Sequence, residues 1–246
     1  GAVGVAVAPS TVTSGGLVLV VSLLLATALS AAASSPSHDP PPRDGEALIR
    51  QMRERYDGKW YHTLTFVQKT TLPNGKVETW HEALSAPGLL RIDIAPLDSM
   101  NTLIFRGDSL YQFKAGKLTE SRSLVHPLMV LGFDVYVQPE SVTIGKLRGL
   151  GYDLSRLHET TWEGRPTWVV GAAAGDSTSR QFWIDKERLY FVRSLEPSPQ
   201  NPAVTMETRF EKYQVMGGGW LEHEVVFLAN GQVRMREEYR DTRVDI

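Results

Sequence analysis

The chain has 246 residues, of which 42% are hydrophobic and 22% are charged, and this composition suits one globular domain or two at most. Its 26 basic and 28 acidic side chains give a net charge of −2, so the clustered basic excess of a nucleic-acid-binding protein is missing. The absence of cysteine excludes disulfides, thiolate metal sites and a cysteine nucleophile.

The first 37 residues contain no Lys, Arg, Asp or Glu. Within them, an apolar run over residues 17–29 precedes Ala31-Ala32-Ala33, which is the form of a secretory signal peptide and its cleavage site. We therefore predict a signal peptide over residues 1–33, with a membrane anchor formed by residues 17–33 as the alternative. In both cases the rest of the chain is exported. Residues 34–44 predict a flexible Pro-rich leader, and residues 45–246 a single domain.

Helices are predicted at three places in this domain. The first covers residues 45–57, where Asp44 can cap the helix and Leu48, Met52 and Tyr56 form an apolar stripe. The other two are a short segment that starts near Pro127, within 125–133, and an amphipathic segment over 139–150.

Alternation of apolar and polar residues predicts strands in most of the remaining chain. Short turns join consecutive strands, with Asn-Gly at 74–75 and again at 230–231, so the sheet is expected to be antiparallel. Strands are predicted over residues 61–71, 76–84, 89–95, 101–105, 109–114 and 117–122, and then over 158–162, 166–172, 180–185, 189–195, 204–215, 220–229 and 232–240.

Two kinds of motif have the residues of a catalytic or metal-binding site but lie in predicted structures that do not suit such a site. Gly107-Asp108-Ser109-Leu110 has the letters of a serine-hydrolase signature, but it lies in a predicted hairpin rather than at a strand-to-helix turn. Each of the three His-Glu pairs, at 81–82, 158–159 and 223–224, lies on a predicted strand, where adjacent side chains point to opposite faces. We therefore predict no catalytic residue, no metal site and no cofactor.

Several short motifs, taken in order, resemble the periplasmic outer-membrane lipoprotein carrier family, the LolA-like proteins. They are Phe66-Val67-Gln68-Lys69, the strand from Pro87 to Asp93, the hairpin from Gly107 to Phe113, and Phe182-Trp183-Ile184-Asp185. One position departs from the family pattern, because Ala86 stands where the lipoprotein carriers have an Arg thought to help hold a closed lid. This departure leaves open whether the chain carries lipoproteins in the strict sense.

The resemblance implies an unclosed antiparallel β-barrel whose open face is covered by the N-terminal helix and the two inserted helices. Such a protein would bind acyl chains of lipoproteins, or other lipids, in an apolar cavity without catalysis. It would act as a monomer in the periplasm of a Gram-negative-type envelope, between an inner-membrane release transporter and an outer-membrane acceptor. The expected cavity lining is Phe66, Leu90, Ile92, Ile94, Tyr111 and Phe113 from the sheet, with Leu128, Met129 and Leu131 from the inserted helix as a lid.

Two alternatives stay open from the sequence. A protein of this fold can act as a lipid- or lipoprotein-sensing interaction module of the envelope instead of a carrier. The same apolar residues would also form the core of a closed β-sandwich that has no cavity.

Overall fold

The computed structural model describes residues 40–245 of the chain. The predicted signal peptide or anchor over residues 1–33 lies outside the described residues, as does the leader up to residue 39. Residues 40–44, the end of the predicted leader, contain neither helix nor strand. Among the described helices, none has the length and apolar character that crossing a membrane requires.

The three predicted helices are present as α1 (Gly45–Arg55), α2 (Pro127–Gly132) and α3 (Glu140–Gly149). The Asp44 carboxylate accepts a hydrogen bond of 2.8 Å from the backbone N–H of Ala47, which caps α1 as predicted. Single 3₁₀ turns occur at Leu97–Ser99 and Asp134–Tyr136. The second of these turns connects α2 to α3, so the two inserted helices form one continuous segment between strands.

Fifteen strands make up the rest of the described fold. They are β1 (Thr63–Thr71), β2 (Val77–Ser85), β3 (Leu89–Ile94), β4 (Asn101–Arg106), β5 (Ser109–Lys114), β6 (Lys117–Ser123), β7 (Leu157–Trp162), β8 (Arg165–Val170), β9 (Gln181–Asp185), β10 (Phe191–Pro197), β11 (Thr205–Glu211), β12 (Gln214–Met216), β13 (Gly219–Leu221), β14 (Glu224–Ala229) and β15 (Gln232–Val244).

Thirteen of these strands form one antiparallel sheet in the order β6-β5-β4-β3-β2-β1-β15-β14-β11-β10-β9-β8-β7. The first and last strands of the chain, β1 and β15, pair at its centre, from Leu64 opposite Val244 to Thr71 opposite Arg236. The edge strands β6 and β7 do not pair with each other, so the sheet is open. The prediction of a mostly β fold with an unclosed antiparallel sheet and a few helices is confirmed.

Two of the predicted strands are wrong in extent. The strand predicted over 204–215 breaks after β11, where Lys212 has a φ of +56°, and the strand predicted over 220–229 breaks between β13 and β14. The separated pieces β12 and β13 form a two-stranded ribbon of their own. This ribbon approaches the indole of Trp60 so closely that a Cβ on Gly219 would lie 2.6 Å from the ring. The ribbon separates from the main sheet and packs against the chain just after α1. The alternation of apolar and polar residues does not indicate this separation.

The helices pack against the sheet with their apolar sides. Leu48, Ile49 and Met52 of α1 are fully buried, as the stripe predicted. At the start of α1 the backbone N–H of Gly45 donates to the carbonyl of Leu154 at 2.7 Å, which fixes the helix against the loop before β7. The connecting turn is held by Tyr136, whose ring stacks on Trp60 at 3.7 Å between centroids. α1 and this turn pack closely in the core, whereas α2 lies over a part of the sheet where a cavity remains between helix and strands.

Candidate functional site

A cavity of about 290 Å³ lies between α2 and the central strands of the sheet. This volume is at the lower end of the range of about 300 to 1,000 Å³ that is typical of small-molecule sites. Most of its wall is apolar, and the apolar lining residues are Phe66, Trp80, Leu84, Leu90, Ile92, Leu103, Phe105, Leu128, Met129, Phe133, Phe210, Val225, Phe227 and Met235. The polar lining residues are Gln68, Glu82, His126, Glu237 and Tyr239.

Strand register explains why these side chains face the same space. Within β2, β3 and β4, Glu82 lies opposite Ile92, which in turn lies opposite Leu103. Residues directly opposite each other in an antiparallel sheet point to the same face. Pairing of β1 with β2 adds Phe66 beside Glu82, so one row of side chains crosses four strands on the cavity side. The apolar wall is therefore a consequence of the pairing.

Five of the nine residues predicted to line a cavity do so: Phe66, Leu90, Ile92, Leu128 and Met129. The first three come from the sheet, and the last two come from α2, which covers the cavity as predicted for a lid. That these residues hold a ligand stays a prediction.

Two further predicted residues lie near the cavity but outside its lining. Ile94 is on the same face as Ile92 and lies opposite Trp80, but of this pair it is Trp80 that lines the cavity. Leu131 of α2 is fully buried in the core instead of facing the cavity. A helix of six residues presents only part of its circumference to any one surface, so neighbouring positions of α2 serve different contacts.

The prediction for Tyr111 and Phe113 is wrong. The β4–β5 register sets Phe105 opposite Leu110, so the cavity face of β5 carries Leu110, while Tyr111 lies opposite Ile104 on the other face. Phe113 shares that outer face, and neither side chain lines the cavity. The prediction that the two aromatic residues share one face of β5 is correct, but this face is the outer one. The two faces of a strand differ by one residue, so an error of one residue in register reverses every side chain.

Sequence reasoning missed the part of the wall that comes from the C-terminal strands. Phe210 of β11, Val225 and Phe227 of β14, and Met235 and Tyr239 of β15 all line the cavity. They reach it because β15 pairs with β1, a contact between the two ends of the domain. Residues 224–229 are apolar almost throughout, so alternation does not reveal which of them share a face, and no local feature indicates which strand lies next to β1.

Two carboxylic acids face this apolar space. Glu82 is 8% exposed, and burial raises the pKa of its carboxyl well above the usual value, helped by the negative charge of Glu237. Burial also raises the pKa of Glu237 to about 7. The Tyr239 hydroxyl lies 3.5 Å from a Glu237 carboxyl oxygen. A third acid, Glu222, is 1% exposed outside the lining and also has a pKa raised by burial.

No basic side chain balances these acids within the cavity. Among the residues that line it there is no Lys or Arg, and burial lowers the pKa of His126 to about 4, so its imidazole is neutral at pH 7. The His126 ring packs edge-on against Phe105 with 4.9 Å between centroids, and its Nδ1 has no hydrogen-bond partner within the described structure. The site therefore combines an apolar wall with acidic groups that lack a countercharge.

We expect the raised pKa of Glu237 to make the folded protein less stable as pH rises. The native state holds the proton up to a pKa of about 7, whereas an unfolded Glu releases it near 4.5, so stability is greatest below the unfolded pKa and falls between these values. Urea unfolding at pH 5 and pH 8 should show that Glu237 lowers the free energy of unfolding at pH 8 relative to pH 5 by about 2 to 3 kcal/mol. This contribution is the difference between the pH dependence of the unmodified protein and that of Glu237→Gln, because other groups such as His126 titrate in the same range. An equal difference in both proteins would contradict the assignment to Glu237.

The covering segment is attached to the first half of the sheet by two polar contacts. The Asp134 carboxylate accepts a hydrogen bond of 3.0 Å from the backbone N–H of Gly88, in the turn before β3. The ammonium of Lys146 on α3 lies 2.7 Å from the carboxylate of Asp108, in the β4–β5 turn. The first contact involves Gly88, two residues after Ala86, the position at which the lipoprotein carriers have an Arg. The segment is thus tied to the sheet without that Arg.

The motif that matches a serine-hydrolase signature does not adopt a catalytic geometry. Ser109 is the first residue of β5 and lies opposite Arg106 in a hairpin, and its hydroxyl lies 3.4 Å from the carbonyl oxygen of Gly107. A serine nucleophile needs a hydrogen-bonded base, and Ser109 has none in the described structure. The described residues also contain no group of three His, Asp or Glu side chains that could hold a metal ion.

Comparisons with known proteins identify the fold. No protein-family model matches the sequence, and no curated protein matches it. Among solved structures, a DUF1329 family protein from Desulfovibrio piger has a TM-score of 0.53 at 13% identity, covering 82% of this chain and 92% of its own. A putative outer membrane lipoprotein-sorting protein domain from Vibrio parahaemolyticus has a TM-score of 0.50 at 11% identity, covering 80% and 91%.

At such identities the likeness concerns the fold alone, and it extends over most of each chain. The features that match are those described above: one large open antiparallel sheet with a few helices. This chain therefore shares the fold of these two structures, one of which is described as a putative outer membrane lipoprotein-sorting protein domain.

Proposed function

We propose that this protein binds one acyl chain of a lipid or lipoprotein in the cavity under α2, as a non-enzymatic step of lipoprotein or lipid handling in the periplasm. The observation that carries the proposal is the continuous apolar wall formed by β1–β4, β11, β14, β15 and α2. Each buried methylene contributes about 0.8 kcal/mol, so a chain of ~12 carbons gains roughly 10 kcal/mol before losses. The volume of about 290 Å³ favours a single chain over several.

The fold supports the same proposal by likeness. The Vibrio parahaemolyticus structure is described as a putative outer membrane lipoprotein-sorting domain, and a carrier role for this chain is an extension from that description. An exported, monomeric protein that receives its cargo from an inner-membrane transporter and delivers it to an outer-membrane acceptor would follow from this role. The predicted N-terminal signal peptide agrees with export.

Native mass spectrometry of the protein purified from an envelope extract tests the proposal. We expect a fraction of molecules to carry one bound lipid, which organic extraction removes and which returns on mixing with a matched lipid. Finding no adduct, and no binding of dodecanol at micromolar protein concentration, would overturn it. If the bound lipid does not pass to acceptor vesicles, a sensing role is favoured over a carrier role.

The non-enzymatic part of the proposal has its own test. Ser109→Ala should leave hydrolysis of p-nitrophenyl esters at the buffer background, where we also expect the unmodified protein to lie, because Ser109 has no base beside it. The free energy of unfolding should change by less than about 0.5 kcal/mol, as is usual for surface substitutions. An esterase activity that is present in the unmodified protein and lost in the variant would show that the site is catalytic.

A further inference from the structure

Glu82 lies at a position where an unpaired carboxylic acid is unexpected. It faces the cavity from β2 between Phe66 on one neighbouring strand and Ile92 on the other. Its side chain is more than nine-tenths buried, and it makes no hydrogen bond or ion pair with any described residue. Buried carboxylic acids are normally paired or hydrogen-bonded because an isolated one is costly. A group that enters the cavity could supply the missing partner.

The surroundings of Glu82 determine the kind of partner. On β15, Glu237 adds a second carboxyl to the lining, and the hydroxyl of Tyr239, whose ring packs against Phe66, lies 3.5 Å from it. Gln68 on β1 already donates its amide N–H to Thr70 at 2.8 Å. Within the segment that covers the cavity, His126 is the titratable residue of the lining, and its imidazole is neutral at pH 7. The strands β3, β4, β11 and β14 contribute no charged side chain to the lining. With Glu237 and Glu222 as the acids that act on Glu82, and no Lys or Arg in the lining, the surroundings of Glu82 favour a cation over an anion.

We propose that the preferred occupant of the cavity is a single-chain amphiphile with a primary ammonium group, which Glu82 binds directly while Glu237 adds to the negative field. An ammonium offers three N–H donors and a positive charge to a carboxylate that has no other partner. The same site would disfavour a fatty-acid carboxylate, because its negative charge would enter a wall that holds two carboxyl groups and no Lys or Arg. This inference rests on the proposed function, since the apolar chain supplies the binding and the head group supplies the selectivity.

Proton release follows from this arrangement. Burial raises the pKa of Glu82 in the empty cavity, and pairing with an ammonium requires the carboxylate form. The binding of an alkylammonium should therefore favour proton release from Glu82 and strengthen as pH rises, as long as the amine stays charged, since its pKa lies near the value of about 10.4 for Lys. A neutral alcohol of the same chain length has no such requirement.

Equilibrium dialysis with three probes of the same chain length tests the inference: dodecylammonium, dodecanol and dodecanoate, all below their critical micelle concentrations at pH 8. We expect dodecylammonium to bind the unmodified protein at least 10-fold more tightly than dodecanol, and dodecanoate to bind most weakly. Equal binding of the ammonium and the alcohol would overturn the ammonium preference while leaving the proposed function intact. If none of the three binds, the proposed function itself fails.

A variant series then locates the preference. Glu82→Gln keeps the size of the side chain and should reduce the preference for dodecylammonium over dodecanol to within about twofold, and it should weaken the increase of this preference with pH. Glu238→Gln is the matched control, because Glu238 is the neighbour of Glu237 and pairs with Lys69 at 2.8 Å, away from the cavity lining. A preference that survives in Glu82→Gln, or that disappears equally in Glu238→Gln, would contradict the assignment.

Discussion

Leu103→Glu is expected to weaken dodecanol binding by about 30- to 100-fold, equivalent to about 2 to 3 kcal/mol. Leu103 lines the cavity from β4, directly opposite Ile92. A Glu at this position removes apolar contact area and places a polar group against the acyl chain without a partner. Equilibrium dialysis of dodecanol measures the change.

Ile104→Glu is a close control for this substitution. Ile104 is the next residue of the same strand and is also partly buried, but it lies on the outer face, opposite Arg91. A Glu there is placed beside an arginine, so binding should stay within about twofold of the unmodified protein. If both variants fold by circular dichroism and bind dodecanol equally, the cavity is not the binding site.

Gly171→Ala is expected to lower the free energy of unfolding by about 4 kcal/mol. Gly171 has a φ of +103°, and a Cβ at this position would lie 2.4 Å from the backbone carbonyl oxygen of Arg180. The left-handed conformation costs an Ala roughly 1 to 3 kcal/mol, and the clash with a backbone atom adds an overpacking cost of similar size. Urea unfolding followed by circular dichroism measures the sum.

Gly164→Ala separates the two causes. Gly164 also has a positive φ, +77°, but a Cβ there would contact nothing within 4 Å, so only the conformational cost applies. We expect a loss of about 1 kcal/mol for this variant. Equal losses in the two variants would show that the clash between a Cβ at residue 171 and the carbonyl oxygen of residue 180 adds nothing to the loss of stability.

The first half of the fold was predictable because its contacts are local. Each strand from β1 to β6 pairs with its neighbour in sequence, and turn residues such as Asn74-Gly75 mark the hairpins, so the observed bounds lie within about two residues of those predicted. The inserted helices were found for a similar reason, since Pro127 and Pro139 mark where α2 and α3 begin. Local chemistry thus determines the elements.

The part of the cavity wall that comes from the C-terminal strands was not predictable, because it depends on a contact between distant parts of the chain. Pairing of β1 with β15 brings Phe227, Met235 and Tyr239 to the site, and no short motif encodes that pairing. The outward orientation of Tyr111 has a related cause, because its face is set by the register with β4 rather than by its own alternation. Glu82 was also overlooked, since its apolar neighbours are contributed by adjacent strands.

The central claim is that an acyl chain lies between α2 and the cavity face of the sheet. Isotope-filtered nuclear Overhauser spectroscopy of the labelled protein with unlabelled dodecanol tests it most directly. The account predicts contacts from the chain methylenes to Leu103, Leu128 and Phe227, which line the cavity from β4, α2 and β14. Contacts confined to outer-face residues such as Ile104 and Tyr111, with none to the three lining residues, would contradict it.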